Sequence, residues 1–212
     1  MLVKINLPLP ETLDPSLTPR QAEILDRAIE VVAAEGLGSF TLKQVAERVG
    51  FTEAAIYRHF PDKRALVLAL VDRLGRLLLE PAAAHAADAS RPPRERLEAV
   101  VRHHVSLLTG TGGLPILLFA EGLVAGDEAI MARLRETLRS YLALLAGLLA
   151  EIDPGPAPPA IQRAILLLGL PAALGLQQRA LPELTLRREE IETLIAQFLR
   201  ALTTPSLTET AP

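Results

Sequence analysis

Residues 41–63 read TLKQVAERVGFTEAAIYRHFPDK, and this stretch decides the fold predicted for about the first third of the chain. Thr41 and Gln44 have the spacing of a capping box, in which two side chains satisfy the free backbone groups at a helix start. Gly50 can take the positive φ of a sharp turn, so we expect it to end this helix. Thr52 can then cap another short helix. The segment therefore predicts two short helices joined by a tight turn.

The surrounding sequence has helical patterns throughout and no strand signal. Thr18 and Gln21 form another capping box, with Pro19 at the first helical position, and open a helix that stops at Gly36. We expect the helix after the turn to reach about His59. Further helices are expected over residues 62–81, 94–108, 114–124, 127–152, 160–180 and 187–202. The predicted fold class is therefore all-α.

Composition restricts the class of protein. The chain of 212 residues has a net charge of −3 and is half apolar with only 3% aromatic residues, which favours helices built on Leu, Ala, Val and Ile. It has no cysteine, which excludes a disulfide framework and a thiolate metal site and fits a reducing cytoplasm. Apolar stretches such as residues 164–176 fall short of the ~20 residues that cross a bilayer. We therefore expect a soluble, cytoplasmic protein without a membrane partner.

The helix after Gly50 has the size and the side chains to enter a DNA groove. An α-helix fits the major groove, which is roughly 12 Å wide, and its exposed side chains then meet base edges. Ile56 and Phe60 are apolar and four residues apart, so we expect both to face the core. The residues left on the open side or its rims are Thr52, Glu53, Ala54, Ala55, Tyr57, Arg58 and His59.

Residues that flank this helix suit phosphates. Lys63 begins the next helix, where its charge adds to the free backbone N–H groups. Thr41 and Lys43, at the start of the preceding helix, are placed for the backbone of the opposite strand. Residues 41–64 hold five basic and three acidic side chains, so the segment is mildly basic within an acidic protein. A helix–turn–helix is also an ordinary way to pack helices, and spacing alone does not choose between the two interpretations.

The run GFTEAAIYRHFPDKRALVLAL resembles the N-terminal domain of the tetracycline-repressor (TetR) family. The family pattern is a small turn residue, a short run, Leu or Ile before Tyr-x-His-Phe, a break and a lysine. The similarity covers roughly residues 18–75. It implies phosphate contacts from Lys43, Tyr57, His59 and Lys63 and a base-reading face at Glu53, Ala54, Ala55 and Arg58. Glu53 is acidic, so it would have to accept from a cytosine amino group or pair with Arg58.

The resemblance also implies a division of the chain into an N-terminal arm (1–17), a helix–turn–helix DNA-binding domain (18–80), a larger effector-binding and dimerisation domain (81–204) and a flexible tail (205–212). The last two helices would form the dimer. The helix over residues 160–180 is apolar around much of its circumference, which suits a four-helix interface between two copies, although a core helix of a monomer is the alternative. The candidate interface residues are Ile165, Leu168, Gly169, Leu174, Ile191, Leu194 and Phe198.

A small effector would bind among the helices of residues 94–152. The candidate contacts, chosen as polar or bulky groups on otherwise apolar helices, are His104, Phe119, Glu121, Met131, Arg139 and Tyr141. His104 shares a stripe with Leu97, Val101 and Leu108, so we expect it to face inward, as a core residue or as a ligand contact. A zinc site that includes adjacent histidines is disfavoured because they point about 100° apart on a helix. We predict no metal and no cofactor, and the scarcity of polar groups favours an apolar effector.

The function implied is that of a homodimeric transcriptional repressor, released from a palindromic operator on double-stranded DNA by a small, largely apolar effector. The alternative is an architectural or nucleoid-occlusion DNA-binding protein of the same family, whose regulatory partner is a protein. An enzyme is not expected, because the sequence has no nucleophile elbow, no phosphate-binding glycine loop and no catalytic constellation.

Overall fold

The computed structural model describes residues 17–36, 40–154 and 159–203, and every regular element in these ranges is helical, so the all-α prediction is confirmed. The helices are α1 (Pro19–Glu35), α2 (Leu42–Val49), α3 (Glu53–Tyr57), α4 (Lys63–Ala87), α5 (Pro93–Gly110), α6 (Leu114–Ala125), α7 (Glu128–Ile152), α8 (Ala160–Ala180) and α9 (Arg188–Thr203). A short 3-10 turn, Pro182–Leu184, precedes α9. The arm (1–17) and the tail (205–212) lie outside the described residues, apart from residue 17.

The predicted start and stop signals of the helix–turn–helix are present. Both capping boxes form, at Thr18 for α1 and at Thr41 for α2. Gly50 ends α2 in the left-handed conformation, with φ 78° and ψ 32°. The Thr52 hydroxyl then accepts a hydrogen bond from the backbone N–H of Ala55 at 3.3 Å. Local hydrogen bonds therefore fix the angle between α2 and α3.

Two predicted helix ends are wrong. α3 ends at Tyr57 instead of His59, because the carbonyl of Ile56 accepts from both His59 N and Phe60 N and the chain curls to bury the Phe60 ring. α4 does not end near Pro81 but continues to Ala87. Ala82 is fully buried in a second core, and this packing carries the helix past the proline.

The molecule has two hydrophobic cores, and α4 contributes to both. The first core joins the inner faces of α1 to α4 with the end of α5, the start of α6 and the start of α7. The second core joins α5, α7, α8 and α9 around Tyr141 and Leu145. On α4, Leu66, Leu70 and Leu74 belong to the first core, and Ala82 belongs to the second. The predicted boundary at residues 80/81 therefore falls inside one continuous helix.

Ion pairs hold α4 against its neighbours on both sides. Arg64 makes two hydrogen bonds to Asp127, with Nε–Oδ2 at 2.8 Å and Nη2–Oδ1 at 3.0 Å. Asp127 also caps α7 by accepting from the backbone N–H of Ala129 and of Ile130. The hydrogen bond from Arg64 is the main reason that the pKa of Asp127 is lowered to about 2. On the next turns Arg133 bonds Asp72, at 2.9 Å, and Arg73 bonds Asp26 of α1, at 3.3 Å.

Helix α8 differs from the expectation that no apolar stretch reaches the length of a membrane span. It continues through Pro171, and by length and composition it is apolar enough to cross a membrane. One side of it packs in the second core, through residues such as Ala164 and Leu167. Gly175 allows a close approach within the chain, because a Cβ there would lie 3.3 Å from the Cα of Gly113. Gly169, by contrast, faces open space.

We predict that Gly50→Ala lowers the free energy of unfolding by about 1 kcal/mol, because a residue with a Cβ is strained at this positive φ. Urea denaturation measures the change. The control is Gly147→Ala, within α7 and with no atom within 4 Å of its added Cβ, which should be stabilising by about 0.5–1 kcal/mol. Equal effects of the two substitutions would contradict the role assigned to the turn.

Candidate nucleic-acid interface and internal cavity

The open face of α3 carries most of the side chains predicted to read bases. Thr52, Glu53, Ala54 and Arg58 are exposed, and Ala55 is half-buried. Ile56, between them, is completely buried and anchors the helix in the first core. The exposed surface is therefore one face of a short helix whose opposite face is fixed.

The residues predicted to contact phosphates surround this face. Tyr57 is 47% exposed, and His59 is half-buried with its carbonyl oxygen 3.5 Å from the side-chain nitrogen of Gln21. Thr41 and Lys43 are exposed on the cap and first turn of α2. Lys43 has only a loose, exposed ion pair with Glu47, at 4.0 Å.

Lys63 lies at the first position of α4, next to its cap. The Asp62 carboxylate accepts from the backbone N–H of Ala65 at 2.7 Å. The ammonium group of Lys63 lies 5.4 Å from the centre of the Phe40 ring, so a cation–π contact directs this exposed side chain. A cation at the positive end of a helix dipole creates a local field that attracts anions.

A small, partly open cavity of about 50 Å³ lies between α4, α5, α6 and α7. Its walls are mostly aliphatic, with polar side chains only at two of the described positions. The lining residues are Val71, Leu74, Gly75, Leu78, His104, Leu107, Leu108, Pro115, Leu118, Leu134 and Thr137. The sequence does not indicate that α4 lines the cavity, because its four lining residues look like ordinary core residues of an amphipathic helix.

Of the predicted effector residues whose side chains are described, His104 lines this cavity. The side chain is buried, and its ring meets the Tyr141 ring edge-to-face with centroids 4.7 Å apart. Burial lowers the pKa of the imidazole to about 3, so the ring is neutral at physiological pH. The Nδ1 atom is buried without a hydrogen-bond partner among the described residues.

Four of the other five predicted effector residues do not form this wall. Tyr141 is buried in the second core. Met131 packs against Gly122 of α6, since a Cβ added to Gly122 would lie 2.9 Å from the Met131 sulfur. Arg139 differs from the prediction that it faces the effector. It is exposed on α7, where it pairs with Glu136 at 2.8 Å. Phe119 is half-buried on α6 and outside the lining. The Glu121 side chain lies outside the described residues.

The predicted dimer residues divide into three groups by exposure. Ile165 and Gly169 are exposed on α8, whereas Leu174 is a correction, since it is 6% exposed and belongs to the second core. The four others are half-buried and pack against that core: Leu168, Ile191, Leu194 and Phe198. Three apolar residues outside the list of candidate interface residues extend the exposed stripe of α8: Ile161, Leu166 and Leu176, each about half exposed.

A second, open cleft of about 1170 Å³ lies between α5 and the chain from α8 to α9. Three arginines and three glutamates line it, and Arg102 bonds both Glu98 and Glu192. The lining arginines and glutamates are equal in number, so their charges give this cleft no clear preference for anions or cations.

The sequence is similar to known DNA-binding regulators. The family model described as "Bacterial regulatory proteins, tetR family" matches residues 24–70. A fatty acid metabolism regulator protein of Bacillus subtilis is 29% identical over 136 residues, 63% of this chain and 68% of that protein. The nucleoid occlusion factor SlmA of Vibrio campbellii is 26% identical over 159 residues, 70% of this chain and 76% of that protein.

The fold is similar to that of solved regulators. The structure of FadR from Bacillus subtilis in complex with stearoyl-CoA has a TM-score of 0.67 at 21% identity, over 86% of this chain and 97% of that chain. The matched residues 24–70 hold most of α1, all of α2 and α3, and the first turns of α4, which together form the helix–turn–helix described above. Residues 24–70 therefore form a helix–turn–helix domain of the TetR family of bacterial regulatory proteins, and the chain as a whole has the fold of solved TetR-family regulators.

Proposed function

We propose that the protein is a cytoplasmic, homodimeric repressor that is released from a palindromic operator by a small, largely apolar effector. The observation that carries this proposal is the shared helix α4. Its first residue, Lys63, borders the reading surface, and Gly75, about 18 Å further along the axis, lines the cavity. A ligand in the cavity thus acts on the element that carries one of the phosphate contacts.

Binding to DNA would place α3 in the major groove. Arg58 and Glu53 would read base edges, with methyl contacts from Ala54 and Ala55. Lys43, Tyr57, His59 and Lys63 would contact phosphates, helped by Thr41 and Thr52 at the helix starts. All of these side chains are exposed or half-buried around α3, which supports the assignment.

A second copy of the chain would cover the apolar stripe of α8. Ile161, Ile165 and Leu166 are each about half exposed, and Gly169 lies between them and Leu176 with open space in front of it. Large contiguous apolar patches on soluble proteins commonly mark association sites. A two-fold dimer would also set two reading helices against successive major grooves, roughly 34–36 Å apart.

The effector would enlarge the cavity. A volume of about 50 Å³ is smaller than the ~150 Å³ that holds benzene in an engineered cavity, so a ligand has to push α4, α6 or α7 apart. We expect α6 to shift, because Gly113 and Gly126 flank it with positive φ and no side chain caps its N-terminus. The aliphatic walls suit a hydrocarbon chain or ring. FadR, solved with stearoyl-CoA, supports an effector with a long apolar part.

A protein-regulated nucleoid-occlusion function is the second candidate, favoured by the similarity to SlmA. A nucleoid-occlusion protein would differ from the proposed repressor in two ways: it would occupy many dispersed chromosomal sites, and small molecules would not release it from DNA. A genome-wide binding map, made with and without candidate effectors, separates the two functions.

We predict that Lys43→Gln weakens binding to all DNA sequences and lowers the slope of log affinity against log salt by about 0.9, the value for one phosphate contact. Fluorescence anisotropy at several salt concentrations, with DNA from upstream of the protein's own gene, measures the slope. The control is Arg139→Gln, which removes an exposed cation on α7. An unchanged slope in Lys43→Gln, or an equal decrease in the control, would count against the phosphate contact.

Ile165→Glu should convert the dimer to monomers at micromolar concentration, because it buries a carboxylate in the proposed apolar interface. Sedimentation equilibrium gives the mass. Leu123→Glu is the matched control, since Leu123 is 60% exposed on α6, away from the interface. A wild-type protein that is monomeric, or an Ile165→Glu variant that stays dimeric, would refute this interface.

Gly75→Val should imitate the effector. A Cβ at this position would lie 2.8 Å from the Thr137 hydroxyl oxygen, so the side chain pushes α7 away from α4. We expect the ligand-free variant to bind the operator about tenfold more weakly than the ligand-free wild type, which is a loss of about 1.4 kcal/mol in binding free energy. Circular dichroism and sedimentation check folding and mass, and Gly147→Ala is the control. A Gly75→Val variant that is folded and dimeric but binds DNA as tightly as the wild type would argue against control through the cavity. If valine prevents folding, the smaller substitution Gly75→Ala repeats the test.

A further inference from the structure

His104 is the polar feature that distinguishes the cavity from an ordinary packing defect. Its ring forms part of the wall, and its Nδ1 atom is buried with no hydrogen-bond partner among the described residues. A buried polar atom of this kind destabilises the molecule unless something bonds it. The remaining ring surface is packed against Tyr141 at 4.7 Å, so the ring cannot easily swing to solvent.

The walls give no support to a charged ligand. Of the lining residues, nine are aliphatic, proline or glycine, and the two polar ones, His104 and Thr137, carry no formal charge when the imidazole is neutral. Burial lowers the pKa of His104 to about 3, so the ring does not act as a cation at physiological pH. A carboxylate placed here would be buried without an opposite charge, which is strongly unfavourable.

From this arrangement we propose that the effector is an uncharged, mostly apolar molecule with one hydroxyl group, an alcohol or a phenol, that hydrogen-bonds to Nδ1 of His104. This inference rests on the proposed effector role of the cavity and adds the chemical class of its ligand. A hydroxyl group both donates and accepts, so it can bond Nδ1 whichever ring nitrogen carries the proton. The hydrocarbon part would contact the aliphatic walls as the cavity opens.

Specificity would come from the polar group more than from the hydrocarbon. A site that bonds a hydroxyl rejects the analogue without it, because the buried partner then stays unsatisfied. A pocket with aliphatic walls only would prefer the methyl analogue, because a hydroxyl buried there would lose its hydrogen bonds to water without a replacement. Three probes that share an ethylphenyl body therefore test the assignment: 4-ethylphenol, 4-ethyltoluene and 4-ethylbenzoate.

The test measures the binding of each probe to the full-length protein by isothermal titration calorimetry. In the wild type we expect 4-ethylphenol to bind at least about tenfold more tightly than 4-ethyltoluene, with 4-ethylbenzoate weakest. His104→Phe should remove the preference for the phenol, and His104→Asn, which keeps a hydrogen-bonding group, should retain part of it. His85→Asn is the control, because His85 lines the second cleft and not this cavity.

The outcomes separate this inference from the proposed function. Equal affinity for the phenol and the toluene, tighter binding of the benzoate, no binding of any probe at millimolar concentration, or a preference that survives His104→Phe would each overturn it. DNA release is measured in parallel by fluorescence anisotropy. A His104-dependent preference without DNA release would support the ligand class but contradict the repressor mechanism. Release by all three probes, unaffected by His104→Phe, would support the repressor and refute the role of His104.

Discussion

The rest of the structure depends on the burial of one face of α4 in two cores at once. Leu66 and Leu70 pack against the helices of the DNA-binding part, and Ala82 packs against the second core. Helix α4 has 25 residues and is about 37 Å long, so a displacement beside Gly75 acts on the same helix that begins at Lys63. Because proteins are close-packed, a ligand cannot enter beside Gly75 without moving one of the helices that line the cavity.

The N-terminal end of α4 is tuned by opposing electrostatic effects. Lys63 and Arg64 place two cations where the helix dipole disfavours them. Asp127 compensates Arg64, and the Phe40 ring partly compensates Lys63. In the proposed complex a DNA phosphate would offset the remaining unfavourable positive charge of Lys63. The Arg64–Asp127 pair also ties this end of α4 to the cap of α7, one turn from residues that pack beside the cavity.

Local sequence signals predicted the helix–turn–helix well, because its geometry depends on local hydrogen bonds. The boxes at Thr18 and Thr41 and the left-handed Gly50 need no distant partner. The end of α4 was missed because Ala82 holds it through contacts with helices far along the chain. Most of the cavity lining was not predicted for the same reason: polarity singled out His104, which lines the cavity, but also Arg139, which is exposed on α7. Exposure on α8 could not be predicted because both faces of this helix are apolar.

The central claim is that opening the cavity changes the separation of the two reading heads. The protein has no cysteine, so Ala34→Cys, at an exposed position of α1, attaches one spin label to each protomer. Double electron–electron resonance then measures the distance between the labels across the dimer, with and without Gly75→Val. The account predicts that Gly75→Val shifts the distance distribution by several ångströms. Superimposable distributions, in a variant that has lost operator affinity, would contradict it.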